Sequence, residues 1–282
     1  MADHTHFDHV AIAVRRWSDA YPALVEELGG AWCLGGVTET FSPGQFRFAE
    51  EMTVEVLQPG SAGENFVSRF LTERGPAAHH LTFKVRSMAE FSSACAELGY
   101  DLLPAHLDVP GRTEIFVHPR ASGMGTLLQA IEEHERFSVT TPRPAEVPAP
   151  SRPALRVAWV ALVVPELDRA MALFTGVLGG TVLMSGDSGR GRHVLLEWAP
   201  GRRLLLLDGG AGAALGRGDG SPGVDHVLFS EPQEPLPRLQ EIAGAAPVPG
   251  SDVLGLPLLD ARHGRREVPG ARHSAGVEPV AR

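Results

Sequence analysis

The chain has 282 residues, of which 43% are hydrophobic and 21% charged, and its formal net charge is −9. The composition is typical of a folded protein and excludes a disordered one, and the length favours two domains. The negative charge argues against nucleic acid as the main partner, because phosphate binding needs a basic surface.

Three features concern the cellular compartment. The two cysteines, Cys33 and Cys95, exclude a disulfide framework. The polar residues 1–8 are not typical of a signal peptide. No apolar run reaches the about 18 residues that a membrane span needs. We therefore expect a cytoplasmic protein without nucleic-acid or membrane partners.

The N-terminal part of the chain contains one order of elements twice. In the first copy a strand is predicted over 8–14 and a helix over 18–28. Three short strands should follow, at 31–34, 46–49 and 53–57. In the second copy the strand is predicted over 79–85 and the helix over 87–98, with strands at 101–104, 114–117 and 126–131. The fold class is therefore predicted to be α+β, built from tandem βαβββ modules.

A proline-rich stretch without apolar period divides the chain and is typical of a semi-extended linker. The predicted organisation is an N-terminal domain over 1–135, a linker over 136–155, a C-terminal domain over 156–268 and a flexible tail over 269–282. The C-terminal part repeats the module less clearly. Its strands are predicted at 157–164, 194–198, 203–207 and 225–229, its helix at 166–178, and a glycine-rich loop at 185–193.

Ligand-capable side chains occupy the same two positions in each N-terminal module. His9 and His80 open the first strands, and Glu55 and Gln129 lie in the last strands. A carboxylate or an amide in an apolar strand is costly without a partner, and a divalent cation would be such a partner. Two imidazoles, a carboxylate and an amide oxygen suit a transition metal such as Zn, Co, Mn, Fe or Ni.

Each of these residues also has a structural interpretation. A histidine at a strand start is commonly half-exposed, Glu55 could face solvent on an edge strand, and Gln is an uncommon ligand. His79 is the rival of His80, although the overlay of "HLTFKV" on "HVAIAV" places His80 on His9. The coincidence of matching repeat positions favours the metal site.

The N-terminal half resembles the vicinal oxygen chelate superfamily, which includes glyoxalase I, extradiol dioxygenases and bleomycin-resistance proteins. Within it the half is most similar to methylmalonyl-CoA epimerase. The segments that carry the resemblance are "FDHVAIAV", "VEVLQPG", "ENFVSRFL", "HHLTFKV" and "FVHPRASGMGTLLQ", in that order. The resemblance implies paired modules that form cupped mixed sheets with flanking helices. It also implies a metal inside the cup, held by His9, Glu55, His80 and Gln129.

Gln129 departs from the epimerase pattern. The resemblance implies a Glu here that helps to move the proton, and Gln cannot act as a general base. Candidates for a second proton-moving carboxylate are Glu39, Glu50 and Glu51. With one carboxylate instead of two, the bound metal keeps about one positive charge and is a stronger Lewis acid. We assign catalytic roles to Glu55 and Gln129.

The same overlay predicts that the C-terminal half holds no metal. It places Trp159 at the position of His9 and Leu205 at that of Glu55, and His226 alone keeps its place. Glu267 is the candidate for the fourth position. This half is expected either to pack against the first or mediate a homodimer, or to cover the cup and shape the pocket.

Three functions fit these features. The favoured one is a metal-dependent isomerase, epimerase or lyase that stabilises an enolate-like intermediate. Its substrate would be an acyl-thioester, a 2-oxo acid or another small bidentate oxygen ligand. The second is an Fe(II) or Mn(II) ring-cleaving dioxygenase, against which the N-terminal position of the intact site counts. The third is a non-catalytic, small-molecule-binding resistance protein, against which the retained ligands count.

Overall fold

The structure is a computed structural model that describes residues 5–104, 113–120, 122–132, 141–187, 191–215 and 220–264. The predicted tail over 269–282 and Glu267 lie outside these ranges. Within them, fifteen strands form two mixed sheets, one from each half of the chain.

The N-terminal half forms an eight-stranded sheet of two modules. Its strands are β1 (His6–Ala13), β2 (Ala31–Gly35), β3 (Phe41–Arg47), β4 (Thr53–Pro59), β5 (Ala77–Val85), β6 (Leu102–Pro104), β7 (Glu114–Val117) and β8 (Leu127–Glu132). Their order across the sheet is β2-β3-β4-β1-β5-β8-β7-β6. In each module the first strand pairs in parallel with the last, and the modules meet where β1 pairs antiparallel with β5. This arrangement confirms the predicted tandem βαβββ architecture.

The helical segments pack on both faces of this sheet. The helix predicted over 18–28 is a 3₁₀ turn, Trp17–Asp19, followed by a π-helical segment, Pro22–Glu27. Helix α2 (Met88–Glu97) begins after its predicted cap, Ser87, whose hydroxyl accepts a hydrogen bond from the backbone N–H of Glu90. Helix α1 (Phe66–Arg74) joins the modules and was not predicted.

The C-terminal half forms a seven-stranded sheet with the same plan. Its strands are β9 (Arg156–Val163), β10 (Thr181–Asp187), β11 (Arg192–Ala199), β12 (Arg202–Leu207), β13 (Gly223–Ser230), β14 (Ala246–Pro247) and β15 (Leu258–Asp260). Their order is β10-β11-β12-β9-β13-β15-β14. Helix α3 (Leu167–Met171) continues as a π-helical segment, Ala172–Val177, and α4 (Gly209–Leu215) follows β12. The loop predicted over 185–193 is wrong at its ends, which belong to β10 and β11.

A single apolar core joins the two sheets. Phe7 and Phe83 of the first sheet stack with ring centroids 5.0 Å apart, and Phe83 lies 5.0 Å from the ring of Trp198 in the second. The described part of the proline-rich stretch, 141–155, packs on the N-terminal half, where the backbone N–H of Leu155 donates to the carbonyl of Leu28. The C-terminal half therefore packs against the N-terminal half, which is one of the two roles expected from the sequence.

An ion-pair cluster at the edge of this core involves Glu50. Its carboxylate oxygens lie 3.5 Å from Nη1 of Arg156 and 3.3 Å from Nη1 of Arg203. The turn that carries Glu50 approaches Gly201 so closely that a Cβ at Gly201 would lie 2.3 Å from the Cβ of Glu50. Glu50 is therefore an interface residue, and the structure gives it no contact with the predicted metal site.

Replacing Glu50 by glutamine is expected to lower the free energy of unfolding by about 1–2 kcal/mol, because two largely buried guanidinium groups lose their shared anion. Urea denaturation measures this change. Glu51→Gln is the matched control, since Glu51 lies on the same turn with a side chain that is 68% exposed, and it should change stability by less than about 0.5 kcal/mol. Equal losses in both variants would contradict the assignment of Glu50 to the interface.

Candidate metal centre

The four predicted metal ligands lie on the four central strands of the N-terminal sheet. His9 is on β1, Glu55 on β4, His80 on β5 and Gln129 on β8, and these strands are neighbours in the order β4-β1-β5-β8. Residue Ala11 of β1 pairs with both Glu55 and His80. The strand pairing of two symmetry-related modules therefore brings the predicted residues to the middle of one sheet face, which we call the ligand face.

Three of the four residues converge on one point. Oε2 of Glu55 lies 3.4 Å from Nε2 of His9 and 3.5 Å from Nε2 of His80. All three ligand atoms lie within 4.8 Å of one another. Ligands about 2.0–2.1 Å from one tetrahedral Zn²⁺ would themselves be about 3.4 Å apart. We call His9, Glu55 and His80 the ligand cluster, and its spacing and donor chemistry fit a divalent transition metal.

Gln129 is linked to the ligand cluster through a hydroxyl group. Oγ1 of Thr82 donates to Oε1 of Gln129 over 2.7 Å and lies 2.9 Å from Nε2 of His9. Thr82 is fully buried on the ligand face, two residues after His80. Thr82 is not among the predicted site residues, although the alternation of side chains along β5 places it on the face of His80.

A β-bulge precedes each of the two histidines and aims a second side chain at its ring. The pairing of β1 with β5 skips Asp8 and, in the other strand, His79. Oδ2 of Asp8 lies 2.8 Å from Nδ1 of His9, and Nδ1 of His79 lies 2.8 Å from Nδ1 of His80. Both contacts leave Nε2 of the ring directed at Glu55, as in metal sites where the outer ring nitrogen is held by a second residue.

His79, the rival ligand in the sequence, therefore has a different place. Its ring contacts those of Phe66 and Phe70 of α1, with centroid distances of 5.7 and 4.8 Å. Burial lowers the pKa of His79 to about 4, with the charge of Arg74 acting in the same direction and that of Glu55 against it. A neutral His79 can accept a hydrogen bond from Nδ1 of His80, which keeps the lone pair of His80 on Nε2.

The ligand cluster is an ion pair in the metal-free protein. Burial would lower the pKa of His9, but the charge of Glu55 and hydrogen bonds to Asp8 and Glu55 outweigh it and raise this pKa to about 9. Burial would raise the pKa of Glu55, but the charge and hydrogen bond of His9, with a smaller effect of His80, lower it to about 2. In the metal-free protein, protonated His9 is thus the positive charge beside the Glu55 carboxylate.

Two more polar side chains reach the predicted ligands from flanking strands. Nε2 of Gln45 on β3 donates to Oε1 of Glu55 over 3.1 Å. Nε2 of Gln129 donates to Oε2 of Glu114 on β7 over 2.8 Å. Glu114 is 8% exposed, and it is a buried carboxylate beside the site that the sequence analysis did not identify. The earlier candidates Glu39 and Glu51 are exposed side chains instead.

The ligand face is partly covered by helix α1. Its residues Val67 and Leu71 pack in one apolar cluster with Ala11, Ala13 and Leu57, and Ala11 is the residue that pairs with Glu55 and His80. The backbone N–H groups of Val67 and Ser68 donate to the side chain of Asn65, which caps this helix. Helix α1 therefore places an apolar cluster next to the ligand cluster on this face of the sheet.

The C-terminal half contains a counterpart of the same site in which apolar residues replace all predicted ligands but one. Ala161 pairs with Leu205 and His226, as Ala11 pairs with Glu55 and His80, and Trp159 pairs with Leu228. This register confirms the overlay of Trp159 on His9, Leu205 on Glu55 and His226 on His80. The fourth position belongs to Leu259, which pairs with Leu228 as Gln129 pairs with Thr82.

Trp159 takes the position of His9, and its indole contacts His226, the counterpart of His80. Its Nε1 donates to Nε2 of His226 over 3.1 Å, and Nδ1 of His226 lies 2.7 Å from Oδ2 of Asp225. Both ring nitrogens of His226 therefore have protein partners.

Of the residues that the structure describes, only the ligand cluster forms a group of three or more His, Cys, Asp or Glu side chains able to hold a metal. None of the described helices could span a membrane.

Comparisons with known proteins show the fold. No protein-family model matches the chain, and no curated protein does. A solved structure of a triple mutant of 4-hydroxymandelate synthase from Streptomyces coelicolor is similar, at 16% identity and a TM-score of 0.56 over 80% of this chain and 71% of that one. The likeness shows that both sheets together have the vicinal oxygen chelate fold.

Two smaller structures match one half of the chain. Methylmalonyl-CoA epimerase from Mycobacterium tuberculosis is 20% identical, with a TM-score of 0.41 over 47% of this chain and 91% of that one. A hypothetical protein from Bacillus halodurans C-125 is 25% identical, with a TM-score of 0.42 over 46% of this chain and 96% of that one. A shared fold does not determine a reaction, so the function must be argued from the site.

Proposed function

We propose that the protein is a metal-dependent enzyme of the vicinal oxygen chelate type, which binds a small substrate through two oxygens and stabilises an enolate-like intermediate. The reaction would be an isomerisation, an epimerisation or a lyase reaction. The observation that supports this most directly is the ligand cluster, in which two imidazoles and one carboxylate converge within 4.8 Å in a buried position. No other described part of the chain offers such a group.

The residues of the chain would share the work as follows. His9, Glu55 and His80 would hold the metal, and Gln129 would add its amide oxygen as the fourth protein ligand. The metal, when bound, would supply Lewis acidity to the substrate oxygens. A single carboxylate among the ligands leaves about one positive charge at the centre, which favours an anionic enolate. Glu55 and Gln129 would thus act on the reaction through the charge and geometry of the metal.

The orienting residues would keep this geometry rigid. Asp8 and His79 hold the outer nitrogens of His9 and His80, and Gln45 holds the second oxygen of Glu55. Such outer contacts reduce the reorganisation that metal and substrate binding require. Phe66 and Phe70 pack around His79 and would form an apolar wall beside the substrate.

One observation favours a second function. The mutually close ligands are two His and one Glu, a set that is typical of Fe(II) oxygenases with open coordination positions. If Gln129 does not coordinate the metal, the ligand cluster alone would leave those positions to the substrate and oxygen. A dioxygenase is therefore the alternative, and a resistance protein that only sequesters its ligand is the third.

A sequence of measurements separates these functions. Metal analysis of the purified protein should find about one divalent ion per chain, as expected for one site of this kind. Deuterium exchange into methylmalonyl-CoA and other acyl-thioesters should then follow metal loading. Oxygen uptake with catechols, dependent on Fe(II), would support the dioxygenase instead. A protein that binds no divalent metal at micromolar concentration would contradict both enzymatic functions.

A further inference from the structure

Gln129 can be a useful ligand in only one of its two orientations. Its side chain ends in an oxygen that can coordinate a metal and an amide nitrogen whose two hydrogens can only donate. The two orientations have the same shape, so packing alone does not choose between them. The choice depends on the hydrogen-bond partners at the two ends of the amide.

The partner nearest the ligand cluster does not make this choice. Thr82 lies 2.7 Å from the amide of Gln129 and 2.9 Å from Nε2 of His9. A hydroxyl group donates one hydrogen bond and accepts others. Thr82 could therefore face either the oxygen or the nitrogen of the amide.

Glu114, the hydrogen-bond partner on the other side of the Gln129 amide, does fix its orientation. Glu114 lies two residues along β7 from Phe116, the residue that pairs with Gln129, so its side chain reaches Gln129 diagonally across the same sheet face. Its Oε2 lies 2.8 Å from Nε2 of Gln129. A carboxylate only accepts hydrogen bonds, so Glu114 requires the nitrogen of the amide on its side and turns the oxygen towards Thr82 and His9.

We propose that Glu114 is a positioning residue that orients the Gln129 amide so that its oxygen, and not its nitrogen, is presented to the metal at the ligand cluster. The inference rests on the proposed metal-binding function. It also accounts for the combination of the two residues. A glutamate at position 129 would set two carboxylates against each other, whereas a glutamine there turns Glu114 from a source of repulsion into an orienting acceptor.

The test uses Co²⁺ alone as the probe, with affinity measured by competition against a chromophoric chelator and the ligand field by visible absorption. Glu114→Gln allows the amide at 129 to turn over, because the new side chain both donates and accepts. We expect Co²⁺ affinity to fall about tenfold, as for other outer-sphere partners, with a changed absorption band. Glu132→Gln is the control, since Glu132 ends β8 and its removal should leave both readouts as in wild type.

A swap variant separates orientation from mere structural support. In Glu114→Gln combined with Gln129→Glu, the hydrogen bond persists with donor and acceptor exchanged, and an oxygen still faces Thr82. Co²⁺ affinity should return to at least the wild-type value, and Gln129→Glu alone should be weaker than the swap because its two carboxylates repel. Glu114→Gln with wild-type affinity and spectrum would overturn the proposal, as would a swap variant that binds no better than Glu114→Gln. A wild-type protein that binds no Co²⁺ would instead refute the metal-binding function itself.

Discussion

Replacing His80 by alanine is expected to abolish stable metal binding, while the same change at His226 leaves the metal content unaltered. The two histidines occupy equivalent positions of equivalent strands, each pairing with an alanine of the central strand. His80 directs Nε2 at Glu55, but Nε2 of His226 accepts a hydrogen bond from Trp159. Loss of a direct ligand should weaken metal binding at least about a hundredfold, more than the loss of an outer-sphere partner.

In the metal-free state, His226→Ala should lower the free energy of unfolding, although it leaves the metal content unaltered. His226→Ala leaves the indole N–H of Trp159 and the carboxylate of Asp225 without their buried partner, at a cost of about 1–3 kcal/mol. Metal content by elemental analysis and unfolding in urea with a chelator measure the two effects on the same samples. If both variants lost metal equally, the N-terminal location of the site would be wrong. If neither did, the ligand cluster would not be a metal site.

Much of the fold was predictable because its signals are local. Strands β1 and β5 are marked by β-branched runs, and helix α2 is marked by its cap at Ser87. Where the local signals mislead, the prediction failed. Pro43 and Gly44 mark a break in the sequence, yet both lie inside β3, paired with Leu57 and Val56. Strand β10 is almost entirely exposed at the edge of its sheet, so it lacks the alternation that burial produces.

For the site as well, the residues that follow a sequence period were predictable and the residues around them were not. The overlay of repeats located His9, Glu55 and His80 because strand register is periodic, and it located their counterparts Trp159, Leu205 and His226 for the same reason. The residues around them depend on contacts that have no sequence period. Asp8 and His79 reach the histidines through bulges, and Glu114 reaches Gln129 diagonally between strands. Such contacts arise from the tertiary register, which a single sequence does not display.

The metal-free protein is expected to be most stable between about pH 4.5 and 6.5, with the His9–Glu55 ion pair as the cause. The folded pKa of His9 is raised from 6.5 to about 9, so its contribution is fully present below pH 6.5 and is lost as the pH rises through 9. The folded pKa of Glu55 is lowered from 4.5 to about 2, so its contribution is present above pH 4.5 and is lost as the pH falls through 2. Between pH 6 and pH 9.5 the loss of the pair should cost about 3 kcal/mol.

Metal reverses this dependence, because a metal ion binds His9 only when the ring is neutral. Below pH 9 each bound ion must therefore release about one proton from His9, and the apparent affinity should rise about tenfold per pH unit between pH 7 and 9. Urea denaturation with and without Zn²⁺ measures the stability at each pH, and calorimetry in buffers of different ionisation enthalpy measures the released proton. His9→Gln removes the titrating ring but keeps a polar side chain, so its metal-free stability should lack the wild-type loss between pH 6 and pH 9.5. An identical pH profile in wild type and variant would show that the ion pair is not the cause.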